Sequence, residues 1–195
     1  FNISACYVGP PAAGEDALAS LLKFGSPIES SLATRSYLEI QSAGDILFPR
    51  GRRYYWKAQF LREISDGAID ALLEIYPKAP SPAAVLVFQQ VGGAIARIPS
   101  SESPYANRDA LYDCFPLAIW DSPADDEANI SWARELWSAV SPYSTGGVYA
   151  NNLGDEGEDR VRAAYGENYA RLVALKNQYD PTNFFCLNQN IRPMV

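Results

Sequence analysis

The chain has 195 residues, 48% of them apolar and 20% charged, enough for one domain with a sizeable core. Its formal net charge of -7, from 16 basic and 23 acidic residues, argues against nucleic acid or an anionic membrane as a partner, because both demand a positive patch. Histidine is absent, so this chain by itself offers neither Ser-His-Asp nor Cys-His catalysis, nor a histidine-based zinc site.

Asn2–Val8 alternates as a strand does, and Gly9-Pro10-Pro11 ends it. Because a core-like strand opens the chain, we expect the sequence to be part of a longer polypeptide. Leu18, Leu21 and Leu22 share one face of a short helix over Glu15–Lys23, stopped by Gly25 and Pro27. A short helix is expected near Tyr37–Ser42. Arg50-Gly51-Arg52-Arg53 reads as a solvated turn. Tyr54–Leu61 is aromatic and strand-like. Ser65 is placed to cap a helix through Tyr76, closed by Pro77. Ala83–Val91 is the apolar run of a buried strand, and Gly92-Gly93 turns it into a hairpin with Ala94–Ile98. Leu111–Trp120 is a further strand, which Pro116 marks for an edge or a bulge. Asn129 caps a helix carrying Ala133, Leu136, Trp137 and Val140 inward. Asp159–Tyr179 has the longest helical period. This order lacks the strict alternation of a doubly wound sheet. It predicts an α+β fold: a largely antiparallel sheet with helices packed on one face.

Cys6, Cys114 and Cys186 lie in apolar surroundings and are expected to be buried rather than paired or metal-binding. Gly92-Gly93-Ala94 lacks the spacing of a phosphate loop. Alternation puts Tyr149 and Asn151 on one side of an extended segment, where a phenol and a carboxamide can orient a polar heterocycle or an alcohol. Gln89 and Gln90 point to opposite sheet faces, so one of them points inward. Lys57, in an aromatic strand, either reaches a carboxylate or bound anion or snorkels to solvent. Asn188-Gln189-Asn190 can read a flat polar ring, or simply form a loop. The residues alone thus give a tyrosine- and carboxamide-rich surface and no reaction.

Four linked segments add to this: Gly147-Val148-Tyr149-Ala150-Asn151; Ala164-Tyr165-Gly166-Glu167-Asn168-Tyr169-Ala170-Arg171-Leu172; Tyr179-Asp180-Pro181-Thr182-Asn183-Phe184-Phe185; and Asn188-Gln189-Asn190-Ile191-Arg192-Pro193. In this order they resemble the ending of the berberine-bridge-enzyme-like FAD-linked oxidases, of the vanillyl-alcohol-oxidase superfamily. Tyr54-Tyr55-Trp56-Lys57 and Gly92-Gly93-Ala94 resemble that family's Y-W-K strand and G-G-A hairpin, while Asn107 stands where the family often has histidine. The resemblance implies a substrate domain over residues 1–140 and a berberine-bridge-type C-terminal segment over 141–195. The segment would pack on an FAD domain that holds most of the cofactor and is not in this chain. It implies hydride transfer from a substrate C–H to flavin N5, the substrate being an alcohol, a sugar or a natural product. Tyr149 would be the base and Lys57 the cation that stabilises its phenolate, with Asn151, Asn188 and Asn190 as flavin contacts and Gln90, or else Gln89, on the sheet face over the ring. The domain is expected to be inactive alone and to expose an apolar face, covered by its own FAD domain or by a dimer partner. The alternative is a ligand-binding or interaction module of the same fold without redox activity.

Overall fold

The computed structural model describes residues 1–194, in two units, Phe1–Arg50 and Gly51–Val195. In the first, Pro11–Leu22 forms α1 and Tyr37–Ser42 forms α2. Pro11 starts α1, its fixed φ and missing N–H suiting the first helical position. Ser36 and Glu39 close a capping box on α2. The strand expected at Asn2–Val8 does not form. Alternation produces an extended chain, but a strand needs a neighbour to take its hydrogen bonds, and this run has none.

The second unit is built on one antiparallel sheet: β1 (Arg53–Trp56), β2 (Gln59–Leu61), β3 (Val85–Gln90) and β4 (Tyr112–Trp120). All three other strands pair with β4. Its helices are α3 (Asp66–Ile75), α4 (Asp126–Val140), α5 (Glu158–Tyr165) and α6 (Tyr169–Tyr179). The mixed fold with an antiparallel sheet is the one the sequence predicts.

Pro116 lies in the central strand rather than at an edge. Trp56 pairs with Leu117 and Gln59 with Cys114, so one continuous register runs through β1 and β2 and breaks opposite Pro116. A proline cannot donate to the ladder, so the neighbouring strand parts there instead of bulging. The carbonyl of Ala58, inside the gap, is satisfied by the indole N–H of Trp137 at 3.2 Å and by Arg160 Nη2 at 2.9 Å.

The two faces of β4 feed two cores. Cys114, Ala118 and Trp120 face α3 and α4, packing with Leu72, Ile75, Trp132, Ala133, Leu136 and Val140. Phe115, Leu117 and Ile119 face the other way, onto Val148, Leu153, Val161, Ala164, Tyr169 and Val173. Each buried Val, Leu, Ile or Phe among them contributes about 1.5–3 kcal/mol. The helices α3 and α4 thus lie on one face, and the segment carrying α5 and α6 covers the other.

Four local expectations are corrected. Ala94–Ile98 does not return as a hairpin strand. Ile95–Arg97 is a single 3₁₀ turn, and β3 takes β4 as its partner across residues 91–111. Asn129 does not cap α4, which begins three residues earlier at Asp126. Asn129 is instead buried in the first turn, donating to the Asp125 carbonyl at 2.9 Å. The period over Asp159–Tyr179 is split into α5 and α6 at Gly166, whose φ is +50° and where a Cβ would approach Ala106 to 3.1 Å. Of the three cysteines only Cys114 is buried; Cys6 and Cys186 are exposed because their flanking apolar residues face solvent. Among the described residues no helix is long and apolar enough to cross a membrane.

Candidate functional site

Residues 144–147 extend the sheet beyond β2. Thr145 N–H donates to the Phe60 carbonyl at 2.9 Å, and Phe60 N–H donates to Gly147 at 3.2 Å. Gly147 is required here: a Cβ would sit 1.9 Å from Asn107 Oδ1. Asn107 in turn donates to the Ala164 carbonyl at 3.1 Å and is a strut between segments. Val148 is wholly buried, which fixes the chain direction, and Tyr149 then opens a 3₁₀ turn over Ala150–Asn152.

That turn is held at three points. Asn152 Nδ2 donates to Asp113 Oδ2 at 2.5 Å, the Trp56 indole donates to the Asn152 carbonyl at 3.0 Å, and Gln189 Nε2 donates to the Leu153 carbonyl at 2.5 Å. The Tyr149 phenol accepts from Asn151 Nδ2 at 2.8 Å. The Tyr149 ring meets Tyr105 edge-on with centroids 5.9 Å apart, and Tyr105 meets Phe60 at 6.1 Å. Arg108 lies 4.8 Å from the Tyr105 ring centre and donates to the carbonyls of Tyr105 and Ile95, both at 3.0 Å.

Two buried polar atoms here have no hydrogen-bond partner, Tyr105 Oη and Asp113 Oδ1. Burial pushes the Asp113 carboxyl up to about 6, against the hydrogen bond from Asn152, which pulls it down. Burial also raises the Tyr105 phenol, reinforced by the charge of Asp113 and opposed by Arg108, so Tyr105 stays neutral and available as a donor. The neighbouring Cys114 thiol is pushed up to about 12 by burial and then by Asp113, which leaves it protonated and inert.

Tyr149 and Asn151 are brought together, though by a tight turn rather than by strand alternation. Lys57 is not part of this cluster. Continuing the register, it stands opposite Pro116, on the face of α4, and its ammonium pairs with Glu156 and lies 4.5 Å from the Trp137 ring centre. The reach for a carboxylate is therefore met by Glu156, and the cation beside the tyrosines is Arg108. Gln90 pairs with Tyr112 and shares the face of α3 and α4, whereas Gln89 pairs with Asp113 and shares the face of the tyrosines. Gln89 thus shares the cluster's face, but both glutamines are exposed at the end of β3, so neither points inward as expected. Asn188, with φ +58°, is exposed in a loop, and its carbonyl accepts from Asn190 N–H at 3.0 Å. Of that tripeptide it is Gln189 that docks on the Tyr149 turn. Sequence reading missed Tyr105, Asp113 and Asn152. The signal for Asp113 was available, since an acidic residue at an inward position of an apolar strand demands a reason.

With this geometry in place, comparison with known proteins is informative. Residues 148–192, from the buried Val148 to the tail that Gln189 anchors, match the family described as berberine and berberine like. Beyond that segment, the chain as a whole is similar to FAD-linked oxidoreductases. It is 27% identical over 194 residues to an FAD-linked oxidoreductase of Dictyostelium discoideum, covering 98% of this chain and 42% of that protein. It is 31% identical over 193 residues to the uncharacterised FAD-linked oxidoreductase YgaK of Bacillus subtilis, covering 96% of this chain and 42% of that one. The chain therefore spans about two-fifths of the length of these relatives. Its fold superposes on Physcomitrella patens BBE-like 1 with a TM-score of 0.74 at 18% identity, over 96% of this chain and 44% of the other.

The Dictyostelium and Bacillus relatives are FAD-linked by name, and the cluster would suit one end of that cofactor. Two tyrosine rings, a carboxamide and a phenol form an aromatic surface with donors and acceptors, which fits a flat heterocycle. Arg108, the cation within the cluster, is already engaged by carbonyls, so the same residues do not suit a diphosphate.

Proposed function

We propose that this chain supplies the substrate side of an FAD-dependent oxidoreductase. In this reading the face carrying Tyr149, Asn151, Tyr105 and Gln89 borders the isoalloxazine, while the rest of the cofactor is held by residues outside the chain. Bound there, the flavin accepts a hydride from a substrate C–H. The chain's own residues orient the substrate hydroxyl or ring and take its proton.

The observation that carries the reading is the Asn151–Tyr149 hydrogen bond. The carboxamide N–H points at the phenol oxygen, the polarity that stabilises negative charge on it. Tyr149 is therefore the proposed proton acceptor. Lys57 is not assigned the supporting cation, because Glu156 and Trp137 hold it. The exposed Phe184 and Phe185, packed edge-on with centroids 5.1 Å apart, are proposed to meet the FAD-binding part of the protein.

The test is Tyr149→Phe in the intact flavin-loaded protein, with a panel of sugars and alcohols as reductants. Anaerobic flavin reduction is expected to slow by roughly 100-fold or more, the range for loss of a general base. Reduction at the wild-type rate would exclude the base role.

A further inference from the structure

Asp113 has no place in the reaction as stated, yet its setting is costly. It is 1% exposed, on the β4 face whose other residues are Phe115, Leu117 and Ile119. A carboxylate there needs compensation, and the structure provides half of it: Oδ2 accepts from Asn152, while Oδ1 is buried without a partner. The groups facing it are Asn152 from the 3₁₀ turn, Gln89 across the β3 register, and Tyr105 from the segment before β4.

A continuous set of contacts leads from this carboxylate to the Tyr149 phenol. Asn152 ends the turn, and its N–H donates to the Tyr149 carbonyl at 2.9 Å. Its side chain is tied to β4 by Asp113 and its carbonyl to β1 by Trp56. Within the same turn Asn151 donates to the phenol. Because β4 is the central strand, paired with every other strand, this contact fastens the turn to the middle of the sheet. We propose that Asp113 is a positioning residue for Tyr149: by holding Asn152 it fixes the turn that aims the phenol and its Asn151 donor. This rests on the reading of Tyr149 given above.

The test uses the intact flavin-loaded protein carrying tyrosine labelled with 13C at Cζ. The Tyr149 resonance is assigned by its loss in Tyr149→Phe. Asp113→Ala and Asn152→Ala are expected to move that resonance in the same direction and to lower the rate of flavin reduction about tenfold or more at saturating substrate, with KM little changed. The double variant is expected to be no slower than the slower single one, because both cut the same link. Asp113→Asn, which keeps an acceptor oxygen in place and folds if Asp113→Ala does not, is expected to restore most of the rate and the wild-type resonance. An unmoved resonance in Asn152→Ala, or additive rate losses, would overturn the proposal. So would an Asp113→Asn variant as slow as Asp113→Ala, since that would put the carboxylate's charge rather than its hold on Asn152 in the reaction. Wild-type reduction by Tyr149→Phe alongside a moved resonance would refute the catalytic reading of Tyr149 and leave the link standing.

Discussion

Asp113 shows how one residue joins stability to site geometry. Its carboxyl is raised by burial to about 6 from an ordinary 3.8. Between those two values the folded chain holds its proton while the unfolded chain has released it. Stability from this group is therefore full below about pH 4 and falls as pH rises toward 6. At neutral pH the penalty is on the order of 3 kcal/mol before any local adjustment. Asp113→Asn is accordingly expected to raise unfolding free energy at pH 7.5 by roughly 1 kcal/mol or more and to give no gain at pH 4, as read by urea denaturation. An equal effect at both pH values would contradict burial of the charge as the cause. Tyr149 and Asn151 were legible as neighbours in sequence, because two residues two apart share a side in a strand and also meet in a tight turn. Asn152 and Tyr105 were not, and Asp113 was legible only as an acidic residue within an apolar strand. Their roles arise from contacts across 39 residues and more of chain, which no local pattern reports.

At the scale of elements, local chemistry was legible where a side chain satisfies its own backbone. Ser65 accepts from Ala68 N–H and starts α3, and Tyr37–Ser42 is the helix expected. It failed where a distant partner decides. Gly92-Gly93 permits a hairpin, yet β3 pairs with β4, and Pro116 splits the neighbouring strand rather than its own. The gap it opens is filled by charge. Glu156 takes both Lys57 and Arg160, and the two cations lie 4.5 and 5.6 Å from the Trp137 ring centre. Removing the shared anion leaves two mostly buried cations side by side. Glu156→Gln is therefore expected to cost about 2 kcal/mol or more in a denaturation experiment. A loss within the usual ±0.5 kcal/mol of a surface substitution would show that solvent, not Glu156, balances these charges.

At the scale of the molecule, β4 divides the second unit into two cores with different work. On the face toward α3 and α4 the indoles of Trp120 and Trp132 are satisfied by Asp126 and the Ile75 carbonyl, and the unpartnered buried oxygens are those of the Gln59 and Asn129 carboxamides. The opposite face carries the berberine-like segment and, at the end of β4 where Asp113 lies, Tyr105 and Tyr149 beside the unpartnered oxygens of Tyr105 and Asp113. The berberine-like segment and the paired tyrosine rings are the reasons for proposing the flavin ring on the Tyr149 side. The crystal structure of the intact flavin-loaded protein measures it most directly. The account predicts Tyr149 and Asn151 in contact with the isoalloxazine or with a substrate held against it, and Gln89 rather than Gln90 on that side. An isoalloxazine seated away from Tyr149, or against the face of α3 and α4, would contradict it.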